Sequence, residues 1–192
     1  MTPYQEIHDQ IFLLLQSKLP SFLTYHSSRH TAYVLEQAEI ISNHENVSEH
    51  DMLLIKTATL FHDIGFIKQY KDHEEAGCVI TRKILALHDF DVDDTEEICS
   101  MIMATKIPQS PLTHNEMIIC DADLEYLGTD LFPKVSQYLY RELHYLDPEL
   151  DIPAFNRIQV RFISAHTFYT DYCKNHREEK KKENLKELMK NM

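Results

Sequence analysis

Glycine and proline are scarce in this chain, which has three glycines and seven prolines among 192 residues. Because hairpins and tight turns depend on these residues, their scarcity argues against an architecture of many short strands. No stretch reaches the roughly 18 to 20 consecutive apolar residues of a membrane span. The first residues also lack the basic and apolar segments of a signal peptide. We therefore expect a cytoplasmic protein without membrane contact.

Closely spaced cysteines and net positive charge are lacking as well. Cys78, Cys99, Cys120 and Cys173 form no CxxC pair, so we expect them to be small buried apolar groups. The formal net charge of −12 gives a surface that repels a nucleic-acid backbone. We expect no polymeric DNA or RNA partner, whereas a small phosphorylated molecule needs only a local cationic pocket.

Apolar residues recur at helical spacing along almost the whole chain, and no run alternates long enough to predict a strand. This pattern predicts an all-α fold. The predicted helices cover residues 3–18, a second from Ser27 or Ser28 to Asn43, 49–62, 72–88, 93–104 and a sixth helix from the capping box Thr113–Glu116 to Gly128. Two or three further helices are expected in residues 129–192, and the tail from Lys174 to Met192 is predicted to be a charged helix with a solvated or frayed end.

Histidine is abundant, with twelve residues in the chain. His62 and Asp63 follow each other at the end of the most apolar predicted helix. A carboxylate in such surroundings is costly to bury without a cation or hydrogen-bond donors. Two adjacent side chains at a helix terminus can converge on one metal ion, although a His-Asp dipeptide also occurs by chance.

His26 and His30 lie four residues apart in the segment Tyr25–Thr31, which places them on one side of a helix if the helical turn extends that far. His30 begins an apolar stripe that continues through Val34 and Ala38, so its side chain is expected to point inward. A lone inward histidine is commonly a core residue, but a pair at this spacing can also serve a metal site.

Asp121 and Asp123 lie in a predicted helix that is apolar on nearly all sides. Such a helix is expected at the centre of the fold, where both carboxylates need a partner. Helical periodicity does not distinguish between the two residues.

The order of these residues resembles the HD-domain superfamily of metal-dependent phosphohydrolases. The resemblance covers roughly residues 22–130, with His30 in Tyr-His-x-x-x-His-Thr and Asp121 in Cys-Asp-Ala-Asp-Leu. It implies that His30, His62, Asp63 and Asp121 are the metal ligands, with Asp121 preferred to Asp123. It also implies a single HD-type helical bundle over residues 1–192, with a helical extension from about residue 129.

Two imidazoles and two carboxylates form a mixed nitrogen and oxygen site for one divalent ion. Mn²⁺, Fe²⁺, Mg²⁺, Co²⁺ and Ni²⁺ suit such a site, which can also hold Zn²⁺. An ion of this kind activates water and polarises a phosphorus centre. The resemblance therefore implies hydrolysis of a small phosphorylated metabolite, with a nucleotide as the expected substrate.

Further site residues are expected on either side of the ligand set. His26 resembles the proton-donating histidine of the related cyclic-nucleotide phosphodiesterases, but it could instead orient His30 or cap the helix. His73 shares a helical face with apolar residues, and two-metal members of the superfamily use a histidine in this region for a second ion.

Lys106 occupies the place where those two-metal members carry another histidine, which favours a one-metal site. Its charge is predicted to bind the substrate phosphate and to assist catalysis, the alternative being a solvated loop lysine. Arg29 is a second candidate for phosphate binding, by its position beside His30.

Other functions are compatible with parts of this pattern. The Tyr-His-x-x-x-His segment also fits a cyclic-nucleotide-type phosphodiesterase, and the family includes di-iron oxygenases, against which Lys106 counts. A non-catalytic module that binds metal and nucleotide for regulation is the alternative from another class. A homodimer is the default expectation for assembly.

Overall fold

The computed structural model describes residues 3–88 and 90–190, and these residues form ten α-helices and two 3-10 turns without any strand. The prediction of an all-α fold is confirmed. None of the helices in the described residues is long and apolar enough to cross a membrane. The elements are α1 (Pro3–Lys18), α2 (Ser28–His44), α3 (Glu49–Phe61), η1 (Ile64–Ile67), α4 (His73–Leu85), α5 (Val92–Ala104), α6 (His114–Leu124), η2 (Glu125–Gly128), α7 (Phe132–Leu146), α8 (Ile152–Ala165), α9 (Asp171–His176) and α10 (Glu178–Lys190).

The centre of the bundle is formed by α2, α3, α5 and α6, with α1 packed against α2 and α3. The apolar stripe of α2 is buried as predicted, since Val34, Ala38 and Ile41 are 0% exposed. Helix α6 is buried on nearly all sides and begins at the predicted capping box of Thr113 and Glu116. The His30 end of α2 therefore meets α6 inside the molecule.

The segment after η2 forms four helices, α7 to α10, where two or three were expected. Helix α10 packs against η2 and α8, and its Asn184 side chain donates hydrogen bonds to the carbonyls of Leu127 and Thr129, both at 2.9 Å. Lys181 is only 3% exposed. Helix α10 is therefore not frayed over the described residues, but the prediction of a charged helix with a solvated end is confirmed, since Lys186, Glu187 and Lys190 are exposed. The last two residues of that predicted tail lie outside the described residues.

A glycine permits the close approach between η1 and α4. A Cβ atom added at Gly65 would lie 1.8 Å from the carbonyl oxygen of His73 and 2.7 Å from the backbone nitrogen of Gly77. These are backbone atoms, so no side-chain rotation relieves the overlap. The glycine thus allows α4 to begin directly beside the end of α3, where His62 and Asp63 lie.

We expect Gly65→Ala to lower the free energy of unfolding by about 3 kcal/mol, the upper part of the range for overpacked interiors. Gly77→Ala is the matched control, because a Cβ atom there meets its nearest neighbours at 3.6 Å. Alanine also favours the helix, so the control is expected to unfold at or above the wild-type midpoint. Urea unfolding of both variants measures the difference, and equal stability of the two would contradict this account of the η1–α4 contact.

Candidate metal centre

His62 and Asp63 stand where α3 ends, and the end of the helix orients the His62 ring. Helix termini leave carbonyl groups without intrahelical partners. The Thr59 carbonyl accepts a hydrogen bond from Nδ1 of His62 at 2.7 Å. The proton is then on Nδ1, so the lone pair of Nε2 is available to a metal ion.

Four side chains from α2, the end of α3 and α6 converge on one point. His30 Nε2 lies 3.0 Å from Asp123 Oδ1, 3.3 Å from His62 Nε2 and 3.6 Å from Asp63 Oδ2. His62 Nε2 lies 3.3 Å from Asp63 Oδ2 and 3.7 Å from Asp123 Oδ1. We call His30, His62, Asp63 and Asp123 the metal cluster.

The metal cluster fits a divalent cation in spacing and in charge. Donor atoms held about 2.0 to 2.2 Å from one ion lie about 3 to 4 Å apart. The ligand atoms of His30, His62 and Asp123 all lie within 4.8 Å of one another, and Asp63 Oδ2 lies within this spacing of both imidazoles. Asp63 Oδ2 is buried and has no hydrogen-bond partner among the described residues. Positive charge lowers the cost of burying such an oxygen, and it is supplied either by the neighbouring imidazoles or by a bound metal ion.

The pKa values of His62 and Asp63 also indicate that the buried carboxylate is stabilised by positive charge. Burial disfavours the imidazolium form of His62, but the adjacent Asp63 carboxylate outweighs this effect and raises the pKa of His62 to about 9. Burial would raise the pKa of Asp63, but the charge of His62 holds that pKa well below its usual range. A divalent ion at the cluster would supply the same compensation.

Asp121, predicted as the fourth ligand, lies outside the metal cluster, and the structure places Asp123 beside His30 and His62 instead. The Asp121 carboxylate is 0% exposed and accepts hydrogen bonds from the Tyr169 and Thr170 backbone N–H groups and from the Thr170 hydroxyl, at 2.7 to 3.1 Å. These donors precede α9. Asp121 therefore ties the end of the chain to α6, while Asp123, two residues on, faces His30 and His62.

His26 lies beside the cluster and is held by a buried carboxylate from α7. Its Nδ1 lies 2.5 Å from Glu142 Oε1, and the backbone N–H groups of Tyr25 and His26 both donate to Glu142 Oε2. Burial opposes the charged ring, yet the Glu142 hydrogen bond and the charge of Asp63 raise the pKa of His26. Because Nδ1 is taken by Glu142, Nε2 remains for a ligand.

His73, at the start of α4, also reaches the cluster. Its Nε2 lies 3.6 Å from Asp63 Oδ1 and 3.6 Å from Glu74 Oε1. Its ring stacks on Phe66 with 3.7 Å between centroids. Burial lowers the pKa of His73, although Asp63 opposes this shift.

A cavity of about 230 Å³ opens beside the cluster, and we call it the main cavity because Asp63 and Asp123 both line it, not because of its size. Its walls include Asp63 and Asp123 of the cluster, both flanking histidines, and apolar side chains of α7 and α8. Thr105 and Ile107, on either side of Lys106, line this cavity. Lys106 itself is not among the described residues that line it.

The structure does not bring Lys106 to the metal cluster. Its ammonium lies 2.8 Å from Asp72 Oδ1 and 2.6 Å from Glu75 Oε1, in a surface ion-pair network. The predicted catalytic and phosphate-binding role of Lys106 therefore does not agree with its position, because two carboxylates already neutralise its charge.

Arg29 lies on another side of the cluster. It is exposed, its guanidinium lies 5.7 Å from the centre of the Tyr138 ring, and it lines a second cavity of about 250 Å³ together with His30 and Lys134. Its predicted contact with a substrate phosphate stays a prediction.

Two carboxylates at the site were not singled out from the sequence. Glu142 is 0% exposed although it lies in an amphipathic helix, next to Arg141. Glu74 is 6% exposed although it lies in the first turn of α4, where acidic residues commonly face solvent. Their burial depends on contacts that are distant in the chain, so no local signal identifies them.

Comparisons with known proteins match this chain by family and by fold. The family model described as "HD domain" matches residues 28–125, the segment that contains every member of the metal cluster. The crystal structure of Bacillus subtilis YpgQ in complex with ADP superposes with a TM-score of 0.67 and 20% sequence identity, covering 100% of this chain and 97% of that chain. No curated protein sequence matches the chain.

Proposed function

The chain belongs to the HD-domain family, and we propose that it is a metal-dependent phosphohydrolase that cleaves a small phosphorylated metabolite, with a nucleotide as the expected substrate class. The convergence of His30, His62, Asp63 and Asp123 carries this proposal. One divalent ion, Mn²⁺, Fe²⁺, Mg²⁺, Co²⁺ or Ni²⁺, is the expected cofactor of this donor set. When bound, such an ion activates water and polarises the phosphoryl group.

The residues around the cluster support a phosphate ester as the substrate. The main cavity reaches Asp63 and Asp123, so a ligand in it can present a phosphoryl group to the cluster. Arg29 and Lys134 supply positive charge in the second cavity, which reaches His30, and Arg29 is our candidate for a contact with the substrate phosphate. YpgQ, which shares the fold, was crystallised with ADP, and this supports a nucleotide ligand.

A hydrolysis assay tests the proposal. The purified chain is stripped of metal, supplied with Mn²⁺, Mg²⁺, Co²⁺ or Ni²⁺, and assayed against p-nitrophenyl phosphate, nucleoside mono- and triphosphates and cyclic nucleotides. Hydrolysis that requires the metal and stops with a chelator is expected. Tight nucleotide binding without turnover would indicate a regulatory module instead, and cleavage of cyclic nucleotides alone would indicate a phosphodiesterase.

His26 is our candidate for the general acid that protonates the leaving oxygen, with Glu142 as its positioning residue. We expect His26→Gln to lower kcat about 100-fold for a nucleotide, the size of a lost general acid. The loss should be smaller for p-nitrophenyl phosphate, because its leaving group departs without a proton. Glu142→Gln keeps a hydrogen-bonding partner for His26 and is expected to cause a smaller loss.

Metal content distinguishes this role from a structural one. Both variants should bind as much metal as the wild type, measured by elemental analysis, since His26 lies outside the metal cluster. If His26→Gln loses metal, or if both substrates lose the same factor in kcat, His26 is not the general acid.

A further inference from the structure

The wall that α7 and α8 contribute to the main cavity is almost wholly apolar. Phe132, Leu139, Phe155 and Phe162 are among its side chains. No lysine or arginine occurs among the described residues that line the cavity. A charged group of the substrate placed against this wall would lose its hydration without gaining a cation. The part of the ligand that lies there is therefore uncharged.

Gln159 of α8 is the polar exception in this wall. Its side chain is 7% exposed and lines the same cavity as Asp63 and Asp123. Its Oε1 accepts a hydrogen bond from the Ser136 hydroxyl of α7, and its Nε2 donates to Asn156 Oδ1 at 3.4 Å. An amide nitrogen carries two donor hydrogens. One of them is thus available to an acceptor on a ligand.

We propose that this apolar wall binds the base of a nucleotide and that Gln159 is a specificity-determining residue, which donates a hydrogen bond from Nε2 to an acceptor on the edge of the base. A base combines flat apolar faces with carbonyl oxygens or ring nitrogens at its edge, whereas an aliphatic chain offers no acceptor. The three phenylalanine rings, Phe132, Phe155 and Phe162, provide aromatic surface for such a planar group. This role of Gln159 depends on the proposed function, because it specifies the substrate of that hydrolase.

Nucleoside binding to the metal-free chain tests the proposal without requiring turnover. Adenosine, guanosine, cytidine and uridine are titrated into the full chain and followed by NMR, with ribose as the reference ligand that lacks a base. At least one nucleoside should bind about tenfold more tightly than ribose or better. Gln159→Met, which has nearly the same volume, should weaken that nucleoside about tenfold and leave ribose unchanged.

Ser136→Ala is the matched control for a structural role of Gln159. It removes the hydrogen bond between α7 and α8 but keeps the amide in the cavity wall, so the preference for the nucleoside should persist. If Gln159→Met keeps the full preference for the nucleoside over ribose, or if Ser136→Ala abolishes that preference equally, Gln159 does not determine specificity for the base. Binding of no nucleoside more tightly than ribose would also overturn the proposal.

Hydrolysis of p-nitrophenyl phosphate by the Mn²⁺-loaded wild type is measured separately, and its absence would overturn the proposed function instead.

Discussion

Replacing Asp63 with alanine is expected to remove metal binding and to lower kcat/KM about 10⁴-fold, which corresponds to about 5 kcal/mol of transition-state stabilisation. Asp63 Oδ2 is buried and has no hydrogen-bond partner among the described residues. It faces Nε2 of both His62 and His30, at 3.3 and 3.6 Å. Removal of this carboxylate leaves two imidazole nitrogens and one carboxylate as donors, and the carboxylate charge that compensates a divalent ion is halved.

The Asp63 variant is followed by its metal content and by its thermal unfolding with and without Mn²⁺. An ion that binds only the folded chain raises the Tm, so the wild type should gain stability with Mn²⁺ and Asp63→Ala should not. Asp72→Asn is the control, because Asp72 has a φ of 53°, which asparagine tolerates, and its carboxylate pairs with Lys106 at the surface. The control should keep both metal and activity. Hydrolysis by Asp63→Ala at the wild-type rate would exclude Asp63 as a ligand.

The second large effect is expected from asparagine variants of Asp121 and Asp123, which lie on the same helix but should affect different properties. Asp123→Asn is expected to lower kcat/KM about 1000-fold through loss of the metal, while the fold is retained. Asp121→Asn is expected to keep metal binding but to lower the free energy of unfolding by about 3 kcal/mol. Its amide would face the Thr170 backbone N–H with a donor where the carboxylate now accepts.

Metal titration and urea unfolding of the two asparagine variants separate these roles. The expected result is a loss of metal affinity in Asp123→Asn alone and a loss of stability mainly in Asp121→Asn. The reverse pattern would restore Asp121 as the ligand, as the resemblance to the family implied.

The sequence predicts the first half of the fold well because its helices have both a regular apolar stripe and recognisable capping residues. The bounds of α1 agree with the prediction, and α6 begins at its capping box. The fourth helix is predicted to reach residue 88, but α4 ends at Leu85, and Leu87 beyond it is 78% exposed. The later helices are amphipathic, and amphipathicity alone does not reveal what their apolar faces cover.

The candidate site shows the same limit at single residues. The structure brings His30, His62 and Asp63 together, the grouping that the motif and the apolar context both favour. The choice between Asp121 and Asp123 depends on which side of α6 meets the Tyr169–Thr170 backbone, which lies 48 residues further along the chain. The place of Lys106 in the motif predicts that it lies at the site, but its ammonium forms ion pairs with Asp72 and Glu75 at the surface. Contacts of this kind are not encoded in local periodicity.

Calorimetric titration of the metal-free wild type with Mn²⁺ tests the metal cluster most directly, with Asp63→Ala and Asp123→Asn titrated alongside. The four-residue cluster predicts one ion per chain for the wild type and no binding of comparable affinity for either variant. Absence of binding to the wild type, or unchanged binding by either variant, would contradict the assignment of His30, His62, Asp63 and Asp123 as the metal site.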